Sequence, residues 1–216
     1  MLLYVVRHAQ SEANAQVPGA SEDCRLTDLG RRQARAVAAR LAEIGLDRVL
    51  ASPYTRTLET AEEIRTATGA PAAIVPLLHE HYAQALPSDR IDDWPLMSRA
   101  ALAARFPHFE LPPDFAFDPK WHEIPETDDA VVRRGKRVLE DLWRRYAASE
   151  DGRQDVRLVL VTHGSPAGKL LMGALGIESP RGIDVQIDNA SISIVAYAPD
   201  RKVLVASNRI DHLTHL

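Results

Sequence analysis

Two periodicities alternate along the first part of the chain. Leu2 to Val6 is a short continuous apolar run that ends at Arg7, the pattern of a strand buried on both faces. Asp28 to Ile44 then carries Ala34, Val37, Ala38 and Leu41 at helical spacing, with Thr27 placed to cap the helix and Gly45 to stop it. Val49 to Ala51 repeats the strand signal. It leads into Ser52 and Pro53, the expected N-cap and first residue of a second helix that Gly69 closes. A third short strand is expected around Ala73 to Val75, followed by Leu77, Leu78, His79 and Glu80.

From His81 to Glu126 both periods vanish. Prolines are interspersed with Trp94, Phe106, Phe109, Phe115, Phe117 and Trp121, so the stretch cannot be one long helix. A segment of this length inside a compact protein is either functional or disordered, and its aromatic content argues for order. We read it as an insertion at about 81–126 that covers a sheet edge and the active site. Regularity returns with Thr127 as a cap and Val131, Gly135, Val138, Leu139, Leu142 and Tyr146 on one helical face. Arg157 to Thr162 reads as a buried strand, and Pro166 starts a helix that Gly176 ends. Ile192 to Tyr197 turns through Pro199 and Asp200 into Lys202 to Ala206, a hairpin. Repeated strand–helix units closed by a hairpin predict an α/β three-layer sandwich, with a mostly parallel mixed sheet covered by helices on both faces.

Composition narrows the function without naming it. A chain of 216 residues fits one domain spanning 1–216. With 45% apolar and 26% charged residues it has ordinary globular usage. Against 30 acidic side chains there are 26 basic ones, a net charge of -4, which offers no broad cationic surface to nucleic acid or to an anionic membrane. The single cysteine, Cys24, excludes an internal disulfide, and the opening apolar run is too short for a signal peptide or a membrane span. These features point to a cytoplasmic location. Asn189-Ala190-Ser191 matches a glycosylation acceptor that carries no meaning without secretion. Sequence pattern leaves a homodimer open, because it cannot separate an exposed apolar patch from core.

In open sheets of this kind ligands sit beyond the carboxyl ends of the strands, and the residues at those positions are unusually polar. They are Arg7 and His8 after the first strand, Ser52 and the nearby Arg56 after the second, Glu80 after the third and His163 after the fourth. Arginine presents a planar fork of donors matched to phosphate oxygens, so two arginines converging on one pocket call for an anion. A neutral imidazole can attack phosphorus and carry the phosphoryl group, and a second can hold the equatorial oxygens with the arginines. A leaving alkoxide needs a proton, and Glu80, with its pKa raised beside a phosphate dianion, can supply one. These parts require neither a metal nor another cofactor.

At these residues the chain resembles the histidine phosphatases related to cofactor-dependent phosphoglycerate mutase, along essentially its whole length. Arg7-His8-Ala9-Gln10-Ser11-Glu12-Ala13-Asn14 is similar to the family's opening Arg-His-Gly-x-Thr-x-x-Asn motif. Leu26-Thr27-Asp28-Leu29-Gly30 with Gln33-Ala34, Ser52-Pro53-Tyr54-Thr55-Arg56-Thr57, Glu80, and His163-Gly164 resemble the motifs that follow. The resemblance implies that His8 is the phosphorylated nucleophile and that Arg7, Arg56 and His163, with Gly164, bind the phosphoryl group. It further implies that Asn14 lines the pocket wall and that Glu80 serves as acid and then base. Ala9 and Ser11 are mild departures. His81-Tyr82-Ala83 after Glu80 replaces the Gly-x-Trp-Glu-Gly of many members and bears on substrate choice.

Each residue also has a plain reading. A lone histidine or arginine is more often a core or surface residue, Asn14 is the kind of residue that caps turns, and Asp211-His212 is as well placed to fray as to border a pocket. His79, Glu80, His81 and His122-Glu123 have the ligand types of a zinc or iron site, which two neighbouring arginines would oppose. Arg31-Arg32, Arg133-Arg134 and Arg144-Arg145 read as solvated helix faces. The expected activity is hydrolysis of a small phosphorylated metabolite, a phosphomonoester, through a phosphohistidine. The alternatives are a phosphoglycerate mutase and a phospho-ligand-binding module without turnover. A shortage of cations in the 81–126 segment suggests a less charged leaving group.

Overall fold

A computed structural model describes residues 1–82, 98–113, 125–147 and 155–216. The strands are β1 (Leu2–Arg7), β2 (Arg48–Ala51), β3 (Ala72–Ile74), β4 (Phe109–Glu110), β5 (Arg157–Thr162), β6 (Ile192–Tyr197) and β7 (Lys202–Arg209). The helices are α1 (Asp28–Ala42), α2 (Thr55–Thr68), α3 (Arg99–Arg105), α4 (Asp128–Tyr146) and α5 (Gly164–Ala174). One seven-stranded sheet runs in the order β4-β3-β2-β5-β1-β6-β7. Its first five strands pair in parallel, and β6 and β7 are antiparallel, so the mixed α/β sheet expected from the sequence is present.

Alternation along the strands divides the core into two layers. Tyr4 and Val6 of β1 and Val159 and Val161 of β5 face α1 and α2, with Val37, Leu41, Leu58 and Ile64. Leu3 and Val5, with Leu158 and Leu160, face α4 and α5, packing on Val138, Leu139, Leu142, Leu170 and Leu171. The period of two in a strand places successive residues on opposite faces, so a run apolar throughout must be covered on both sides. Close helix contact on the second face depends on Gly135, where a Cβ would meet Leu170 Cα at 2.9 Å.

Several boundaries moved for physical reasons. Helix α1 ends at Ala42, before the left-handed Gly45. Helix α2 begins at Thr55, not Pro53, because its first N–H is taken by the Asp23 carboxylate at 2.6 Å, a cap from a distant loop. Ser52 is therefore free for another partner. Helix α5 begins at Gly164, two residues before Pro166. Within the 81–126 segment the structure adds α3 and β4, with β4 extending the sheet edge beside β3 and Phe106 stacking edge-on against Phe109 at 6.0 Å. Trp94, Phe115, Phe117 and Trp121 lie outside the described residues.

Helix α1 is pressed against the loop that follows β1. Thr27 caps the helix through Gly30 N (2.9 Å) and also donates to Gln10 Oε1 (2.7 Å), while Gln10 N reaches Gln33 Oε1 (2.9 Å). Gly30 itself leaves no room for a side chain, since a Cβ there would lie 2.0 Å from Gln10 O. Helix propensity alone would favour alanine at this position by about 1 kcal/mol. Steric crowding reverses that sign, so Gly30→Ala should cost about 1–3 kcal/mol in urea unfolding. A midpoint equal to or above wild type would contradict this packing.

Candidate active site

The parallel ladder between β1 and β5 pairs Arg7 with Thr162, and His8 N continues it by donating to Thr162 O at 2.9 Å. The next residues on both strands, His8 and His163, thus emerge side by side with ring centroids 5.3 Å apart. Strand β2, next to β5, is followed by Ser52, and the turn after β3 brings Glu80 to the same edge. One ligand atom from each of His8, Glu80 and His163 lies within 4.8 Å of the others. Arg56, in the first turn of α2, closes the group with Nε 3.3 Å from His8 Nε2 and a terminal nitrogen 3.5 Å from Glu80 Oε2.

His8 is 2% exposed, and its Nδ1 lies 2.8 Å from its neighbour's backbone oxygen, Ala9 O. A carbonyl can only accept, so Nδ1 carries the proton and Nε2 the lone pair. Burial, reinforced by Arg56 and His163, holds the imidazole well below its ordinary pKa, so it is neutral at neutral pH. The backbone of His8 is fixed as well. Asn189 Nδ2 donates to His8 O (3.0 Å) and to Asn14 Oδ1 (2.9 Å), and Asn14 Oδ1 accepts from Ser11 N and Oγ.

His163 is fully buried, and burial brings its pKa to about 4 despite the opposing charge of Glu80. Its Nδ1 faces Glu80 Oε2 at 3.3 Å without hydrogen-bond alignment, and its Nε2 meets Ser52 Oγ at 2.8 Å. A lone pair turned toward a carboxylate would be repelled, which puts the proton on Nδ1 and makes Ser52 the donor to Nε2. Tyr54 packs edge-on against His163 at 4.9 Å and lies under the Arg56 guanidinium at 4.6 Å.

Burial alone would raise the pKa of Glu80, but His163, Arg56 and the His81 N–H (2.9 Å) outweigh it and hold the carboxyl below the usual range. With these neighbours Glu80 is ionised. The opposite shift expected from the sequence requires a phosphate dianion beside it. Arg7 donates to Ile187 O at 2.7 Å and passes close over Gly164, where a Cβ would sit 3.3 Å from Arg7 Nε. Among the described residues that buried Nε has no hydrogen-bond partner.

The structure thus brings together His8, Arg56, Glu80 and His163, sets Arg7 and Gly164 at their border, and ties Asn14 to the backbone of His8. Both ring nitrogens of His81 are engaged, Nδ1 with Ser165 Oγ (2.9 Å) and Nε2 with Glu126 O (3.0 Å), and His79 Nδ1 donates to Glu80 O (2.7 Å). His122 and Glu123 lie outside the described residues. A cation among His8, Glu80 and His163 would meet the Arg56 guanidinium at hydrogen-bond range. His212 bonds Ala190 O at 2.9 Å, behind Asn189.

Two contributors were invisible in the sequence. Asn189, whose signal was a glycosylation pattern, is committed to His8. Arg134, read as solvated, is 7% exposed and holds Glu126 with two bonds of 2.8 and 2.7 Å. Its NH1 donates to Leu77 O (2.8 Å) and His79 O (3.0 Å), which fixes the turn presenting Glu80.

The model of the histidine phosphatase superfamily, branch 1, matches residues 3–210. The chain belongs to this superfamily of phosphoryl-transfer enzymes. A probable phosphoglycerate mutase GpmB of Photorhabdus laumondii is 30% identical over 202 residues, covering 90% of this chain and 84% of that protein. Among solved structures, a mycobacterial glucosyl-3-phosphoglycerate phosphatase in complex with VO3 superposes with a TM-score of 0.68 at 23% identity over 97% of this chain and 99% of that one. A phosphoserine phosphatase mutant from Entamoeba histolytica, in complex with phosphoserine, gives 0.66 at 20% identity, with 98% of each chain covered. At these identities the structural matches speak for the fold alone.

Burial of imidazoles sets an acid limit on stability. His79, with a pKa of about 4, and His163, also about 4, lie below the ordinary 6.5, and His8 is lowered in the same direction. Between pH 6.5 and 4 the unfolded chain binds protons that the folded one refuses, so stability falls as pH falls through that window. Asp23, raised by burial to about 6, opposes this between pH 3.8 and 6, because there the folded chain holds the extra proton. Three imidazoles outweigh one carboxyl. Urea unfolding should therefore weaken from pH 6.5 to 4.5, and His79→Gln should flatten the slope by about 1.4 kcal/mol per pH unit. An unaltered slope in the variant would contradict the burial of His79 as a neutral ring.

Proposed function

We propose that the protein hydrolyses small phosphomonoesters in two in-line steps through a phosphohistidine on His8. The observation that carries this reading is the lone pair of His8 Nε2, fixed by the Nδ1 bond to Ala9 O and faced by Arg56. In the first step Nε2 attacks phosphorus and the P–O bond to the leaving group breaks. Arg7, Arg56, His163 and the backbone at Gly164 take up charge on the equatorial oxygens, and Asn14 steadies the pocket wall through Asn189. The leaving oxygen takes its proton from Glu80, whose carboxyl is protonated once the phosphate's charge offsets that of Arg56. In the second step water attacks phosphorus, gives its proton to Glu80 and releases inorganic phosphate with His8 restored. No metal is needed, because the cations that neutralise the phosphate are side chains. The 81–126 segment walls the site in this reading, and the single domain spans 1–216.

A mutase, returning the phosphoryl group to another oxygen of the substrate, is favoured by the name of the 30% identical relative. A doubly phosphorylated intermediate needs extra cations to retain it. Of those in the described part of the insertion, Arg99 donates to Pro112 O and Arg105 pairs with Glu59 on α2. This weighs toward hydrolysis. A binding module without turnover would have no use for an ionised Glu80 beside a neutral, oriented imidazole.

Phosphate release from a panel of phosphorylated sugars, glycerates, amino acids and nucleotides should persist with chelator and vanish in His8→Ala. Isomer exchange of phosphoglycerates without phosphate release would identify the mutase, and binding without either reaction would favour the module. Glu80→Gln should slow alkyl phosphate hydrolysis by about 10²–10⁴-fold. With 4-nitrophenyl phosphate, whose leaving group needs no proton, the same variant should give a burst of nitrophenolate equal to the enzyme, followed by slow turnover. Loss of the burst with full loss of activity would remove Glu80 from the proton-transfer role.

A further inference from the structure

Next to the pocket, beyond Arg7 and Gly164, lies a cleft of about 750 Å3 between α5 and the 180–188 loop. Arg7 and Gly164 directly precede and follow His8 and His163 in their strands' continuations, so the cleft adjoins the reacting centre. Its floor contains an ionisable group with no part in the chemistry above. Lys169 is 6% exposed, the one charged residue of a helix otherwise buried from Pro166 to Ala174. Burying an ammonium is costly unless it is paired. Among the described residues its ion-pair partner is Asp128, at 3.3 Å, on the first turn of α4. Asp128 is 52% exposed and also stands 3.9 Å from His81 Nδ1, so it sits at the mouth of the cleft and not in its floor.

The charges lining the cleft balance: Arg7, Lys169 and Arg181 against Asp128, Asp184 and Asp188. Two of the carboxylates have partners of their own. Asp184 accepts from Val185 N (2.9 Å), and Asp188 accepts from Asn208 Nδ2 (2.8 Å) and Gln186 Nε2 (3.0 Å). Among the described residues only Asp128 answers Lys169. Moving that one exposed carboxylate aside would leave room and charge for a single anionic group.

We propose that this cleft is the leaving-group subsite and that Lys169 is its specificity-determining residue, selecting phosphomonoesters whose leaving group carries a carboxylate. The substrate carboxylate takes the place of Asp128 on the lysine. A balanced cleft with one exchangeable partner suits a monoanion better than a second phosphate dianion. The proposal rests on the phosphomonoester reading of the site. It also reverses the expectation of a less charged leaving group, because the cation comes from α5 and not from the 81–126 segment.

Binding can be tested without turnover, using 3-phosphonopropionate and propylphosphonate, which differ by the carboxylate. By calorimetry the wild-type protein should bind 3-phosphonopropionate at least about tenfold more tightly, the scale of one charge-assisted hydrogen bond. Lys169→Met should abolish that difference while leaving the Kd of propylphosphonate within about twofold. Asp128→Asn removes the competitor and should tighten 3-phosphonopropionate several-fold, an effect of opposite sign that damage to the fold would not produce. Equal affinities in the wild type, a parallel loss for both ligands in Lys169→Met, or unchanged affinity in Asp128→Asn would each overturn the subsite and leave Lys169–Asp128 as a structural pair. Phosphate release by the wild type from phosphoserine and glycerol 3-phosphate is read separately. Absence of turnover with the binding difference intact would fail the hydrolytic reading alone, and turnover without the difference would fail the subsite alone.

Discussion

The structure depends on one parallel ladder, that between β1 and β5. It sets Arg7 beside Thr162, so the residues that follow, His8 and His163, share one rim although they lie far apart in the sequence. Parallel pairing carries all strand ends of one sense to the same edge, and the neighbouring β2 and β3 deliver Ser52 and Glu80 there for the same reason. A slip of one residue in β1 would turn Leu3 and Val5 to the wrong layer, so the packing of two cores on opposite faces also fixes the register of the site. Stability and chemistry are specified by the same alternation.

Around that ladder, polar groups are held by partners distant in sequence. Asn189 ties His8 to Asn14, Ser52 orients His163, and Asp23 caps α2 next to Arg56. Arg134 and Glu126 form a bidentate buried pair, an arrangement whose desolvation cost is offset only when the remaining donors are also used. Here they are, on Leu77 O and His79 O. The turn bearing Glu80 is therefore anchored through its carbonyls while its carboxylate stays partly open, with 26% side-chain exposure.

What the sequence disclosed follows from range. Strands and helices with strong periods, from Leu2–Arg7 to the β6–β7 hairpin, were legible because their signals are local, as were His8, Arg56, Glu80 and His163, which stand at strand ends or in the helix turn that follows. The Asp23 cap was not legible, because a carboxylate arriving from another loop leaves no trace in the sequence around Thr55, where Ser52 and Pro53 mimic a helix start. Arg134 was misread because its helix carries exposed arginines on neighbouring turns and nothing local marks which one faces inward. The seven-residue α3 and two-residue β4 are too short for either period to register. Asn189 and Lys169 acquire meaning only from what folding places opposite them.

The electrostatics of the site impose an order on the proposed reaction. A nucleophilic imidazole has to be neutral, and burial beside Arg56 achieves that for His8. The same cations that favour a phosphate also hold Glu80 ionised, which is the wrong state for an acid. The conflict disappears when the phosphate itself is counted. A dianion beside Glu80 offsets the charge of Arg56 that depresses the carboxyl and adds a repulsion that raises it. In the proposed reaction Glu80 thus becomes an acid only with substrate in place. Once the alkoxide has left with the proton, Glu80 is again a carboxylate, the state needed to accept a proton from water. Acid and base are in this way one group read at two moments, and the switch between them is the charge of the substrate.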